Sequence, residues 1–436
     1  MRPVFFCSLL FLFLLHFGFA QHSLENDVNV TPLTIFEDPS LVPIHQQVKA
    51  IMEEGISGEA FPGAQLMVVK NGQMLFHEAY GFHTYDSLVP VGRNDLYDLA
   101  SVTKIAGALP GLMKLVDEGK LDLDVPFSTY WTSWAGVDDK RDLTLREILA
   151  HQAGLHPYIV FVNYLKRNNG KFRKRYIRKE YSPKFPVKIT DSLFLSRKFK
   201  DAMYKAIDRS AVQDEKKYKY SGLSFLLYPE LIENSTDTSY RTFVRKTIYE
   251  PIGAHSLMFV PEGWYPEQLI VPTERDTVFR NSLIRGRVHD ENASLMGGLS
   301  GNAGLFGTAE DLARLMQMYL QDGRFGNNQV ISGATVNEFT RVQYPENGNR
   351  RGLGFDKPLL NNKGKGIEDA YPAPGASQES FGHSGFTGTF VWADPKGEWV
   401  FVFLSNRVYP FRSHSGIYSM NIRERLLQVF YDAYPD

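Results

Sequence analysis

Thiols are almost absent. Of 436 residues a single one is cysteine, and it stands at position 7 inside the first apolar run. If that run is removed on export, what remains has no thiol, which excludes disulfides, a cysteine nucleophile and zinc-thiolate sites. A surplus of charge is missing too: 48 Lys and Arg stand against 49 Asp and Glu, a formal charge of -1. No bulk attraction to nucleic acid or to an anionic membrane follows. Beyond residue 20 no second apolar run approaches the roughly 20 residues a spanning helix needs. No repeat recurs at a solenoid period. What is present is ordinary globular material, 43% hydrophobic and 22% charged, long enough for one large core or two smaller ones.

The first twenty residues, MRPVFFCSLLFLFLLHFGFA, join Arg2 to an apolar run that closes on the small-x-small pattern Gly18, Phe19, Ala20. That is the pattern of a cleavable secretory signal, with an uncleaved N-terminal anchor as the alternative. Cys7 lies too early in the run to serve as a lipid-attachment residue after cleavage. Residues 21–40 are polar and without periodicity, and read as a flexible leader. The ordered domain is expected over 41–436.

LVPIHQQVKAIMEEGI, from residue 41, carries apolar residues at helical spacing. PGAQLMVVKNGQMLFHEAYG then sets two strand-like runs around Asn71-Gly72, a strong hairpin signal. The far end mirrors this arrangement. GTFVWADPKGEWVFVFLSNR reads as strand, turn at residues 394–397, strand, and IRERLLQVFYDAY as a closing helix. Helical patterns fill the middle, among them residues 96–121, LTLREILA and TAEDLARLMQMYLQDG. The fold class expected is α/β (α+β): a central antiparallel sheet built from both chain ends and flanked by helices, with a mainly helical subdomain inserted at roughly 105–300. Residues 164–188, YLKRNNGKFRKRYIRKEYSPKFPVK, are strongly basic; they read as a solvated cover, with contact to an anionic polymer as the alternative.

LYDLASVTKIAGALPGLMKLVDEGKL, residues 96–121, sets a hydroxyl and an amine one turn apart. Ser101 and Lys104 fall on one helix face, with Cβ atoms about 5 to 6 Å apart. An amine so placed can take the serine proton, and a helix N-terminus favours the oxyanion that forms when the serine attacks a carbonyl. Alone, S-x-x-K reads more simply as a helix cap followed by a surface lysine. Pro110 should kink or loosen this helix after its second turn, downstream of the pair, by removing one bond and crowding the Ala106 carbonyl.

The companions of the pair narrow the choice. KYKYSGLSF supplies Tyr220, and SFGHSGFTGTF supplies His383, Ser384 and Gly385 at the start of a strand. Together these residues resemble the serine beta-lactamase and penicillin-binding protein family, in its class C, esterase and D-aminopeptidase branch, with its S-x-x-K, Y-x-N or Y-S-D, and K-T-G or H-x-G motifs. DLASVTK, LTLREILAHQAGL and RVHDENASLMGGLSGNAGLFGTAEDLARLMQMYL extend the likeness from about residue 42 to the C-terminus. Its nearest form is similar to the serine-hydrolase module that follows family 3 glycoside hydrolase domains.

The resemblance implies Ser101 as the nucleophile, Lys104 as its proton partner, Tyr220 as general base and His383 as the basic third-motif residue. It implies an oxyanion hole from the backbone N–H groups of Ser101 and Phe386, with Ser384 and Gly385 beside it and Asn302 within reach of the cleft. No metal and no cofactor are implied. Amide or ester bonds of small, peptide-like substrates are the expected target: peptidoglycan stem peptides, beta-lactams or simple esters, with no nucleic-acid partner. The sequence leaves the oligomeric state open.

One residue and one cluster read as structural: His151 as a helix-end residue shaping the site wall, and the run His289, Asp290 and Glu291, whose consecutive side chains diverge. One departure is plain. Gly222 stands where the family has Asn or Asp, with Ser221 or Ser224 as substitutes for that side chain. The alternative function is therefore a catalytically weak or inactive protein that binds cell-wall fragments on the same fold.

Overall fold

Asn71 and Gly72 both take positive φ, 51° and 72°, the paired left-handed conformation of a tight hairpin turn. The turn joins Gly63–Lys70 to Gln73–Gly81 and starts the main sheet. The computed structural model of the chain describes residues 33–35, 41–213 and 215–434. The signal read at 1–20 lies outside them.

Main-sheet strands are numbered β1 (Thr34–Ile35), β2 (Gly63–Lys70), β3 (Gln73–Gly81), β4 (Phe381–Ser384), β5 (Phe390–Asp394) and β6 (Trp399–Ser405). Their order across the sheet is β1-β3-β2-β6-β5-β4, so the two ends of the chain do build one sheet, joined where β6 pairs antiparallel to β2. Two details differ from expectation. The two-residue β1 runs parallel to β3, Thr34 opposite Gln73, so pairing begins inside the stretch read as a leader. Leu33 beside it is buried, which the polar look of residues 21–40 concealed.

Strand alternation divides the core into two layers. Leu66, Val68, Phe390, Trp392, Phe401 and Phe403 face one side. There they pack under the opening helix α1 (Val42–Ser57) and the closing helix Ile422–Ala433. Met67, Val69, Val391, Ala393, Val400, Val402 and Leu404 face the other side and join the larger core with the helix Ala309–Leu320. Ala309–Leu320 belongs to the long insertion between β3 and β4, residues 82–380, so the insertion reaches beyond 105–300 and supplies one layer of the sandwich. It is also not wholly helical. Tyr97–Asp98, Leu305–Gly307 and Met258–Phe259 form a three-stranded sheet. Ile177–Arg178, Val187–Thr190 and Leu193–Leu195 form another within and just beyond the basic segment. Lys188 there is paired with Asp191 and Glu262.

Each edge of the main sheet is covered in part. β1 covers part of β3, and at the far edge Asp356 exchanges backbone hydrogen bonds of 2.8 and 3.0 Å with Gly382 of β4.

Candidate active site

Leu99 donates its N–H to the Leu305 carbonyl, and Ala100 then turns into the left-handed region at φ 44°. For a residue with a Cβ this costs on the order of 1–2 kcal/mol. Local bonds hold it: the buried Asp98 carboxylate accepts from the Ala100 N–H at 2.9 Å and from the His289 N–H at 2.6 Å. Ser101 follows in a single 3-10 turn, Ala100–Val102. Lys104 opens a π-helical segment, Lys104–Ala108, and only from Leu109–Asp117 is the geometry α. The stretch expected as one amphipathic helix is thus three helical geometries in succession, and the wide turn begins at Lys104 itself rather than downstream of the pair.

Proline chemistry accounts for that position. Pro110 has no N–H, so neither Ile105 O nor Ala106 O, the carbonyls that a π or an α bond from residue 110 would reach, receives that bond. Two tyrosines from other elements take its place. The Tyr319 hydroxyl donates to Ile105 O at 2.8 Å and the Tyr249 hydroxyl to Ala106 O at 2.7 Å.

The widened turn carries Lys104 into a buried position where Nζ donates to Ser101 Oγ at 2.9 Å and to the Asn302 carbonyl at 3.2 Å. The ammonium also lies 5.4 Å from the Tyr220 ring centroid and 5.5 Å from that of Phe225. Tyr220 is 36% exposed. Loss of water around its phenol pushes the pKa up, but the charge of Lys104, hydrogen bonds with Lys104 and Ser101, and the charge of Arg351 outweigh this and hold it below the ordinary tyrosine value. Ser101, Lys104 and Tyr220 therefore converge.

His383 is close but differs in state from what was expected. Its Nδ1–H donates to the Ser384 carbonyl at 2.7 Å, leaving Nε2 as an acceptor facing Arg351 Nη2 at 3.4 Å. Burial, Arg351 and Lys104 push the imidazole down to about 3, so this position is neutral rather than basic. The permanent cation is Arg351, which the sequence analysis missed. It is buried, 2.9 Å from Asp356, with its Cζ 5.6 Å from the Tyr220 ring. Asn-Arg-Arg-Gly-Leu-Gly offered no motif, and one arginine among 48 cations carries no signal until its burial is known.

β4 delivers the remaining residues. A Cβ on Gly385 would lie 2.1 Å from Thr389 Oγ1 and 2.5 Å from the Leu99 carbonyl, so only glycine fits. Thr389 and Thr387 bind the carbonyls of Leu99 and Asp98 at 2.9 and 2.7 Å, tying this strand end to the turn before Ser101. The Phe386 ring lies 5.7 Å from the His289 ring and 4.5 Å from the Arg407 guanidinium, and remains half exposed.

Asn302 is corrected. Its side chain binds Asp290 and Ser300, and only its backbone carbonyl reaches the site. His151 ends the helix Leu145–Leu149 at φ 56°, its Nδ1 accepts the Ser221 N–H, and its ring stands 4.6 Å from that of Tyr220. His289 binds Glu274, Asp290 caps the helix Glu291–Leu295, and Glu291 pairs with Arg412, so the three diverge. Ser221 Oγ is committed to the His156 carbonyl and cannot replace the family's Asn or Asp. A Cβ at Gly222 would meet open space.

Comparison with known proteins adds the decisive observation: the family model described as Beta-lactamase matches residues 47–420. The chain belongs to the beta-lactamase family. It is a serine hydrolase. It is 31% identical over 376 residues to a protein of Salmonella gallinarum named provisionally as a D-alanyl-D-alanine carboxypeptidase, covering 80% of this chain and 79% of that one. A crystal structure of a penicillin-binding protein homologue from Caulobacter crescentus is similar at TM-score 0.61 and 19% identity, covering 93% of this chain and 99% of that one. A D-amino acid amidase from Ochrobactrum anthropi is similar at TM-score 0.61 and 16% identity, covering 90% and 99%. Among the described residues of this beta-lactamase-family chain, no helix is long and apolar enough to cross a membrane.

Proposed function

We propose that the chain is an exported hydrolase that forms an acyl ester on Ser101 while cleaving an amide or ester bond in a small, peptide-like molecule. Peptidoglycan stem peptides are the natural class in that compartment, with beta-lactams and simple esters as close alternatives. Tyr220, as phenolate beside the Lys104 ammonium, takes the Ser101 hydroxyl proton as Oγ bonds to the substrate carbonyl carbon. The resulting oxyanion is met by the backbone N–H groups of Ser101 and Phe386. The carbon-to-leaving-group bond then breaks, the leaving amine or alcohol receives the proton, and water repeats the sequence to release the acid and free serine.

The observation that carries this reading is the 2.9 Å contact between buried Lys104 Nζ and Ser101 Oγ, beside a tyrosine that two cations hold more acidic than usual. The relative's carboxypeptidase name and the amidase neighbour support the substrate class. Gly222 favours the opposing reading, a protein that binds cell-wall fragments without turnover. Against it, the Asn302 carbonyl already supplies Lys104 with an acceptor.

Purified protein treated with a fluorophosphonate or a fluorescent penicillin should gain one covalent adduct on Ser101 by mass spectrometry, absent in Ser101→Ala. Digestion of muropeptides would then separate loss of a terminal D-alanine from cross-link cleavage. No adduct with either probe, and no turnover of ester or muropeptide, would leave the binding reading standing.

A further inference from the structure

We propose that Arg351 is a positioning residue that supplies the fixed positive charge holding Tyr220 as proton acceptor, a part the third-motif histidine does not play here. The inference rests on the acyl-serine reading above. Three geometric facts carry it. Arg351 is 2% exposed, and its guanidinium stands 5.6 Å from the Tyr220 ring and 3.4 Å from His383 Nε2, so it lies against both. Its own charge is secured from the other side, since Asp356 Oδ1 lies 2.9 Å from Nη1. That aspartate is in turn fixed by its backbone exchange with Gly382, so the cation is anchored to the strand that carries His383.

His383 cannot do the same work. With Nδ1–H given to the Ser384 carbonyl, its Nε2 accepts from Arg351, and a second proton there would face a guanidinium. The groups around Tyr220 are Lys104, Ser101, Arg351, Tyr218, His151 and His383; those around Arg351 are Asp356, His383 and the tyrosines 218, 220 and 371. Arg350 shares Asp356 from the outside. Of the cations, Lys104 is spoken for by the nucleophile, which leaves Arg351 as the charge that does not change through the reaction.

The test is the pH dependence of Ser101 acylation by a p-nitrophenyl ester in wild type, Arg351→Lys, Arg351→Gln, the double variant Arg351→Gln with Asp356→Asn, and His383→Gln. Removing the arginine charge should move the acid limb up by about one pH unit and lower acylation below it roughly tenfold. Lysine should restore the limb, and the double variant, which strands no buried carboxylate, should repeat the shift. His383→Gln should lower the rate while leaving the limb where it is in wild type. A limb unmoved in both charge-removing variants overturns the inference while leaving acyl-Ser101 intact; wild-type protein that never acylates removes both.

Discussion

Tyr249→Phe removes one oxygen that touches none of Ser101, Lys104 and Tyr220, yet the fold predicts a measurable cost. The hydroxyl is the donor at 2.7 Å for the Ala106 carbonyl, which Pro110 deprives of its helical partner. Tyr249 is 2% exposed, so water does not replace the lost donor. An unsatisfied buried carbonyl costs about 1–3 kcal/mol. The same substitution in a Pro110→Ala background should cost much less, because the introduced alanine brings back an N–H for that carbonyl. The coupling between the two sites should therefore be on the order of 1 kcal/mol. Urea denaturation followed by tryptophan fluorescence measures it, as a shift of midpoint at unchanged slope. Equal cost in both backgrounds, or none in either, would show that the tyrosine hydroxyl is not the substitute donor.

Two further outcomes follow from the site. His383, neutral and pushed down to about 3 from 6.5, must gain a proton when the chain unfolds below its ordinary pKa. The unfolded state then binds more protons, so stability falls as pH drops from about 6.5 toward 3, by up to roughly 1.4 kcal/mol per unit for this group. His151, lowered in the same direction by burial, Arg351, Lys104 and His383, adds to the slope. Melting temperatures from about pH 7.5 to about 4.5, a range spanning the ordinary histidine pKa, should show the decline, flatter in His383→Gln, and a level profile in wild type would contradict it. Gly222→Asn should leave the melting temperature nearly unchanged, since its Cβ meets open space, and should raise turnover of muropeptides. Unchanged turnover would separate the glycine from specificity.

Local chemistry made much of the fold legible. Asn71-Gly72 between two strand-like runs marked the hairpin, and similar apolar runs at Phe390–Asp394 and Trp399–Ser405 revealed the far half of the sheet. Ser101, Lys104 and Tyr220 were found through spacing and order, and they meet in space. The failures have a common cause: they depend on partners distant in sequence. Arg351 becomes significant only when the fold buries it against Tyr220, from a far earlier part of the chain, and His383 is neutral because of neighbours no local pattern names. The π-turn at Lys104–Ala108 rests on hydroxyls contributed from residues 249 and 319. Asn302 was expected within reach of the cleft, and what reaches Lys104 is its backbone carbonyl.

The way both borders of the main sheet are covered has a consequence for the protein in concentrated solution. An open strand border offers unpaired N–H and C=O groups to any neighbouring chain and is a template for fibrous assembly. Thr34–Ile35 occupies one border for two residues, and Asp356 occupies the other beside Gly382. The residue that steadies Arg351 thus also shields the strand carrying His383 from invasion by a foreign strand. A substitution at Asp356 that frees this border would therefore be felt twice, as clumping at high concentration and as slower acylation in dilute solution.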